Sequence, residues 1–163
     1  MSESSEIDNA LVAKLGGDAT LLSYAPNGVY WEGEVPPGAT RFVEVSLVEA
    51  PDEQMFGGRA FESPLYLVKV VERGMAGDPK TSKQAAARID QLLDPQPPDP
   101  PATLTVPGYG VMLIQRELRI RIIEVDDENT DIRWRHRGGH YRVMVAAPKT
   151  DESSWIQPGW VQG

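Results

Sequence analysis

Residues 111–147, VMLIQRELRIRIIEVDDENTDIRWRHRGGHYRVMVAA, decide how the rest of the chain must be arranged. Leu118, Ile120 and Ile122 alternate with Glu117, Arg119 and Arg121. Successive side chains of an extended strand point to opposite faces, so this period of two predicts a long half-buried strand over Val111–Val125. Asp126, Asp127, Glu128 and Asn129 then supply turn chemistry that reverses the chain. In the returning arm Ile132 and Trp134 alternate with Arg133, Arg135 and Arg137, and Tyr141, Val143 and Val145 resume the pattern up to Ala147. Gly138-Gly139 lies between these two runs and predicts an interruption, as a bulge or a second turn. The whole segment reads as one long β-hairpin.

A second hairpin precedes it. Arg41–Glu49 places Val43, Val45 and Leu47 on one face and Glu44 and Ser46 on the other. Phe61–Glu72 carries Leu65, Tyr66, Leu67, Val68, Val70 and Val71, apolar on both faces, which predicts a central strand covered on one side by helices. Pro51–Arg59, with Gly57-Gly58, forms the tip between these arms. Ile7, Ala10, Leu11 and Leu15 recur at helical spacing after Ser4 and Ser5, and Gly16-Gly17 end that helix. Asp18 caps a short helical turn bearing Leu21 and Leu22, closed by Pro26, Asn27 and Gly28, with a brief strand at Val29–Trp31. Asp78-Pro79 opens a further helix whose stripe is Ala85, Ile89, Leu92 and Leu93, ending at Asp94. Six prolines between Pro95 and Pro107 exclude helix and central strand there. That stretch is either a stiff connector back to the sheet or a recognition ligand. The expectation is a single α+β domain over residues 1–147: a mainly antiparallel sheet of two long hairpins, packed against an N-terminal helix and one crossing helix. Residues 94–107 form a proline-rich loop insert in it, and residues 148–163 an extended C-terminal tail.

Composition narrows the function classes. The chain has 163 residues, 40% hydrophobic and 25% charged, values typical of folded domains. Sixteen basic against twenty-four acidic residues give a net charge of −8, which repels phosphate backbones and anionic lipid at long range. The absence of cysteine excludes disulfides and thiolate metal sites. MSESSEIDNA shows neither the basic nor the apolar region of a secretion signal, and no stretch approaches the roughly 18 apolar residues of a membrane span. The expectation is a protein that stays in the compartment where it is made and has no membrane partner.

Candidate chemistry is sparse. His136 and His140 are four apart, a zinc-like spacing on a helix, but they flank Gly138-Gly139 and read as exposed loop histidines without a metal. No nucleophile elbow, phosphate loop or zinc-protease motif is present, and Gly108-Tyr109-Gly110 lacks the third glycine of a dinucleotide fingerprint. Neither catalytic residues nor a cofactor are expected. Seven arginines crowd the last hairpin of an otherwise acidic chain: Arg116, Arg119, Arg121, Arg133, Arg135, Arg137 and Arg142. They form either a polar face that meets an acidic partner or a solvated surface of cross-strand ion pairs, with a DNA-reading face as a third reading. Met55-Phe56 followed by Gly57-Gly58 and Arg59 places apolar side chains at a hairpin tip, for docking on a neighbour or for folding back on the core. Trp155 and Trp160, in a tail with little else to pack, indicate docking or disorder. The candidate interface residues are thus Met55, Phe56, Arg59, Arg119, Arg121, Arg133, Arg135, Trp155 and Trp160.

This order of elements resembles the tail terminator (tail-completion, tail-to-head joining) proteins of long-tailed bacteriophages and related gene-transfer particles. Three stretches carry the resemblance: IDNALVAKLGGDATLLSYAPNGVYWEGEVPPGATRFVEVSLVE, KTSKQAAARIDQLLD and RELRIRIIEVDDENTDIRWRHRGGHYRVMVA. The resemblance implies a structural protein, not an enzyme, that forms a six-membered ring capping the finished tail tube and ending its polymerisation. The implied partners are further copies of itself, the major tail tube protein and the head-tail connector, with DNA only as cargo in the lumen. The implied location is the head-proximal end of the virion tail, after assembly in the host cytoplasm. The proline-rich insert at 94–107 and the tail after Pro148 depart from the family pattern. Two other classes stand beside this one: a monomeric carbohydrate- or peptide-binding module using exposed Trp31, Trp155 or Trp160, and a small hydrolase using scattered carboxylates.

Overall fold

The computed structural model describes residues 4–55, 58–75 and 80–146, with side chains described for 6–51, 61–75 and 80–146. Two helices open the chain, α1 (Ser4–Gly16) and α2 (Ala19–Tyr24). Asp18 caps α2 by accepting the Leu21 N–H at 2.7 Å. After Gly28, whose φ of 103° suits a residue without a Cβ, β1 (Val29–Trp31) runs parallel to β2 (Arg41–Glu49). Then follow β3 (Asp52–Met55), β4 (Gly58–Glu62), β5 (Leu65–Met75), α3 (Lys80–Leu93), β6 (Gly110–Val125) and β7 (Ile132–Ala146).

The first predicted hairpin is present, with a break in each arm. β2 pairs antiparallel with β5, and the ladder resumes beyond Pro51 and Pro64 as the β3–β4 tip. Proline has no N–H for a ladder, so each arm breaks there. The gap is bridged by Ser63 N donating to the Pro51 carbonyl at 3.4 Å, while the Pro64 carbonyl accepts from Val143 N at 2.9 Å. β5 lies between β2 and β7, the central position that its two-sided apolar pattern predicts.

The core lies between the helices and one face of this sheet. Ile7, Leu11 and Leu15 of α1 and Ala85, Ile89 and Leu93 of α3 meet Val43 and Val45, Tyr66, Val68 and Val70, and Tyr141, Val143 and Val145. Two buried tyrosines each end on a helix carboxylate: Tyr66 Oη donates to Asp8 at 2.6 Å and Tyr141 Oη to Asp90 at 2.9 Å. Burial and these acceptors hold both phenols well above the ordinary tyrosine range. Arg88 of α3 reaches back to Asp18 through two bonds of 3.0 and 2.6 Å, so the α2 cap also fastens α3. The proline-rich stretch returns along the core edge, where Leu104 and Val106 are buried and Lys14 Nζ donates to the Thr103 carbonyl at 2.6 Å.

Gly138-Gly139 does not interrupt the last arm. β7 is continuous from Ile132 to Ala146, and both glycines pair with β5 on one side and β6 on the other. Neither has positive φ; their role is room. A Cβ on Gly138 would lie 2.0 Å from the Val68 carbonyl oxygen, and one on Gly139 would lie 2.7 Å from that of Leu118. The irregularities sit in β6 instead, at Val111–Leu113 and Arg116–Leu118. At the second of these the Arg116 N–H donates to Asp94 Oδ2 at 3.0 Å. His136 and His140 accordingly belong to strand β7, facing Val71 and Leu67 of β5, and are not loop residues. Among the described residues no three side chains of metal-ligating type converge, and no helix is long and apolar enough to cross a membrane.

Candidate functional site

The surface that departs most from an ordinary domain exterior is the β6–β7 hairpin. β6 pairs along one side with β7 and with no other described strand, so the backbone groups of its other edge are unpaired among the described residues. The apolar alternation that predicted a half-buried strand is real, yet little covers it. Leu118, Ile122, Ile123 and Val125 are 54%, 48%, 51% and 52% exposed. Met112 and Leu113 are also exposed further back along the strand. A long edge strand with apolar side chains invites pairing or coverage by another surface.

Charge divides across the two faces of this hairpin. The odd-numbered residues of β7, Tyr141 and Val143 among them, face the core, and register sets Arg121 opposite Arg137 and Arg119 opposite Gly139 on that same side. Here Lys83 of α3 joins Arg116, Arg119, Arg121 and Arg137 around a groove of about 480 Å³. Asp90 is the one acid lining it, already engaged by Arg116 at 2.5 Å. Arg137 Nη2 is shielded from water and has no hydrogen-bond partner among the described residues. Desolvation first, then the neighbouring charges of Arg121 and Arg137's strand mate Arg135, lower the Arg137 pKa. A guanidinium in that condition is an unmet demand for an acceptor.

The opposite face is acidic. Glu44, Glu124, Asp126, Asp127 and Glu128 line a second groove, also about 480 Å³, together with Lys69 and His136. Lys69 pairs with Glu44 at 3.4 Å, and Asp126 is held by Arg73 at 3.5 Å and by Trp134 Nε1 at 2.8 Å. The Trp134 and turn N–H bonds depress the Asp126 pKa. Its Oδ1 accepts from Glu128 N and Asn129 N, which is what closes the predicted turn. His136 Nε2 lies 3.3 Å from Glu124 without the alignment of a hydrogen bond, and Nδ1 has no partner among the described residues. Burial, reinforced by Lys69, lowers the His136 pKa despite Glu124.

The candidate interface residues separate under this geometry. Arg119 and Arg121 line the cationic groove together. Arg133 bonds locally to the Thr130 carbonyl and, at 3.2 Å, to that of Ile132. Arg135 is only 7% exposed and donates to the Met75 carbonyl at 2.9 Å, so it ties β7 to the end of β5. Met55 and Arg59 belong to the β3–β4 tip, where Met55 pairs with Gly58 and Arg59 with Gln54 through the backbone. Phe56, Trp155 and Trp160 lie outside the described residues, as do the expected helix start at Asp78-Pro79 and the expected tail at 148–163. Trp31, expected to be exposed, is half-buried and meets Tyr66 edge-on at 6.3 Å between ring centroids. Arg142, another of the seven arginines, is a clamp: it bonds Glu117 at 2.7 and 3.1 Å, Glu49 at 2.7 Å and the Ser63 carbonyl at 2.8 Å. The exposed apolar stripe and Arg137 were absent from the sequence-derived set, although strand alternation already placed them on definite faces.

No protein-family model matches this chain, and no curated protein matches it at a significant level. Among solved structures it is similar to a chain of the virion of a native gene transfer agent particle. That chain is 19% identical, the alignment covers 90% of this chain and 98% of the other, and the TM-score is 0.65. A second solved chain aligns over 88% of this chain and 96% of its own length, at 17% identity and a TM-score of 0.53. At these identities the likeness is one of fold, extending over nearly the full length of both relatives.

Proposed function

We propose that this chain is a non-enzymatic structural protein of a virion, and more narrowly a tail terminator: a ring of subunits, six by the family resemblance, that caps the completed tail tube and meets the head connector. The observation that carries this reading is the β6 edge, long, apolar and uncovered among the described residues. The fold likeness to a chain of a gene transfer agent virion supports it. A ring of head-to-tail contacts would cover such an edge in every copy without leaving a free end. The partners on this reading are further copies of the chain, the tail tube protein and the connector, and the location is the head-proximal end of the tail.

The energetics indicate what kind of contact this is. Full burial of a Leu, Ile or Val side chain contributes about 1.5–3 kcal/mol, so covering the exposed halves of Leu118, Ile122, Ile123 and Val125 adds roughly 3–6 kcal/mol. Association costs on the order of 4–15 kcal/mol in lost rigid-body freedom. The apolar stripe alone therefore supports a weak pairwise contact. Ring closure, which gives each subunit two contacts, and polar complementarity must supply the remainder.

Electron microscopy with mass measurement, on the purified protein alone and mixed with assembled tail tubes, tests the proposal. Rings, or caps at one end of tubes, are the expected result. A strict monomer that ignores tubes would refute it. For the tryptophan-module alternative, Trp31 is half-buried edge-on to Tyr66 and borders a groove with Asp8, Asn9 and Glu34.

A further inference from the structure

The β6–β7 hairpin is bipolar across its thickness. On the α3 side, five cationic residues stand against the single acid Asp90; on the other side, five acidic residues stand against Lys69 and His136. Most of the cations on the first side are uncommitted, since Arg119, Arg121 and Arg137 make no ion pair among the described residues. Two of the acids on the second side are equally available: Asp127 and Glu128 are exposed at the turn and form no ion pair among the described residues. Each face also carries exposed apolar side chains from the same strand, Ile123 on the cationic side and Leu118 and Ile122 on the acidic side, while Val125 at the end of the strand lines the acidic groove.

Two unlike, mutually complementary patches on opposite faces of one element are what a head-to-tail contact requires. We infer that the cationic groove between α3 and the β6–β7 hairpin receives the acidic turn-side face of the same hairpin in a second copy of this chain. This rests on the ring reading and names the two faces that meet. Strand alternation produces the separation: Arg119 and Arg121 fall on one side of β6 and Glu124 on the other, while the turn acids extend the second side beyond the sheet. A chain with net charge −8 repels its own copies at long range, so this local complementarity also sets which way round two copies approach.

A charge-swap pair tests it. Arg119→Glu/Arg121→Glu cancels the net positive charge of the basic face, and Asp127→Lys/Glu128→Lys cancels the net negative charge of the acidic face. None of these side chains makes a bond within the described fold, so both variants should melt as the parent does. Assembly is followed by mass photometry, alone and on tail tubes. Each variant by itself should assemble at least tenfold more weakly, because one of its two faces no longer attracts the other and the substituted positions now meet like charges. An equimolar mixture should recover assembly, because in an alternating ring the introduced glutamates meet the introduced lysines at one contact and two parent faces meet at the next. Parent assembly should also weaken as salt rises toward about 1 M, where the screening length falls to about 3 Å.

If the parent assembles and both variants do so equally well, these faces are not the contact and the ring reading stands without them. Loss in each variant with no recovery on mixing means that the faces meet some other partner, and the inference fails. A parent that never assembles, with or without tubes, removes the ring reading and this inference together. Should the glutamate swap fold poorly, Arg119→Gln/Arg121→Gln serves, with the weaker expectation of lost salt sensitivity.

Discussion

Replacing Gly138 by alanine isolates the demand that the hairpin places on its central strand. The added Cβ would sit 2.0 Å from the Val68 carbonyl oxygen, 2.6 Å from Lys69 Cα and 2.9 Å from the Val68 carbonyl carbon. All three are backbone atoms of the central strand β5, so no side-chain rotation relieves them. The strands must separate by more than an ångström where Val68 and Lys69 pair with Gly139 and Gly138. Overpacking typically costs about 1–3 kcal/mol, and each ladder bond lost adds about 1 kcal/mol. Alanine gains about 0.4–1 kcal/mol by restricting the unfolded chain, since φ here is not positive. The net expectation is a loss of roughly 3 kcal/mol, or about 6–12 °C in Tm for a domain of this size. Urea unfolding followed by circular dichroism measures it, with Gly110→Ala as the control, because that Cβ meets only the Ala146 Cβ at 3.7 Å. A Gly138→Ala protein within about 1 kcal/mol of the parent, at unchanged m-value, would refute the reasoning that this glycine is a spacer.

Three further outcomes follow from the buried polar contacts. Asp18→Asn keeps the α2 cap and removes the charge that Arg88 holds; Asp18→Ala removes both, for about 2 kcal/mol. The Arg88 hydrogen bond depresses the Asp18 pKa, so its contribution is present above about pH 4 and is lost as pH falls through the folded value. Acid titration of stability should therefore be shallower in Asp18→Asn. Burial lowers the His136 pKa, so below about pH 6.5 the unfolded chain binds the proton first and stability falls with pH; His136→Gln should flatten that slope between about pH 5 and 7, as thermal melts at several pH values would show. Tyr66→Phe strips half-buried Asp8 of its one hydrogen bond among the described residues, whereas Tyr141→Phe leaves Asp90 still paired to Arg116. The first should cost about 1–2 kcal/mol and raise the already elevated Asp8 pKa; the second should cost about 1 kcal/mol, and equal losses in denaturant melts would contradict the asymmetry.

Local patterns alone determined much of this protein. The Asp18 cap, the helical stripes at Ile7–Leu15 and Ala85–Leu93, the alternation in β2 and β6 and the acidic turn at Asp126 are short-range features, governed by side-chain periodicity and by backbone groups a few residues apart. The α+β class and both hairpins were legible for that reason. The parallel partner of β1, the pairing of β4 with β7 and the duty of Gly138-Gly139 were not, because each depends on a strand distant in sequence. The two glycines look alike to sequence whether they bend a chain or make room for a neighbour. Alternation assigned Leu118 and Ile122 to one face of β6 but could not say whether anything covers that face. Seven arginines appeared as one cluster in the sequence, and only the tertiary structure separated Arg142 and Arg135, spent on clamps within the fold, from Arg119, Arg121 and Arg137, which remain uncommitted. Residue type is local and burial is not: a side chain's role is decided by what the rest of the chain brings within a few ångströms of it.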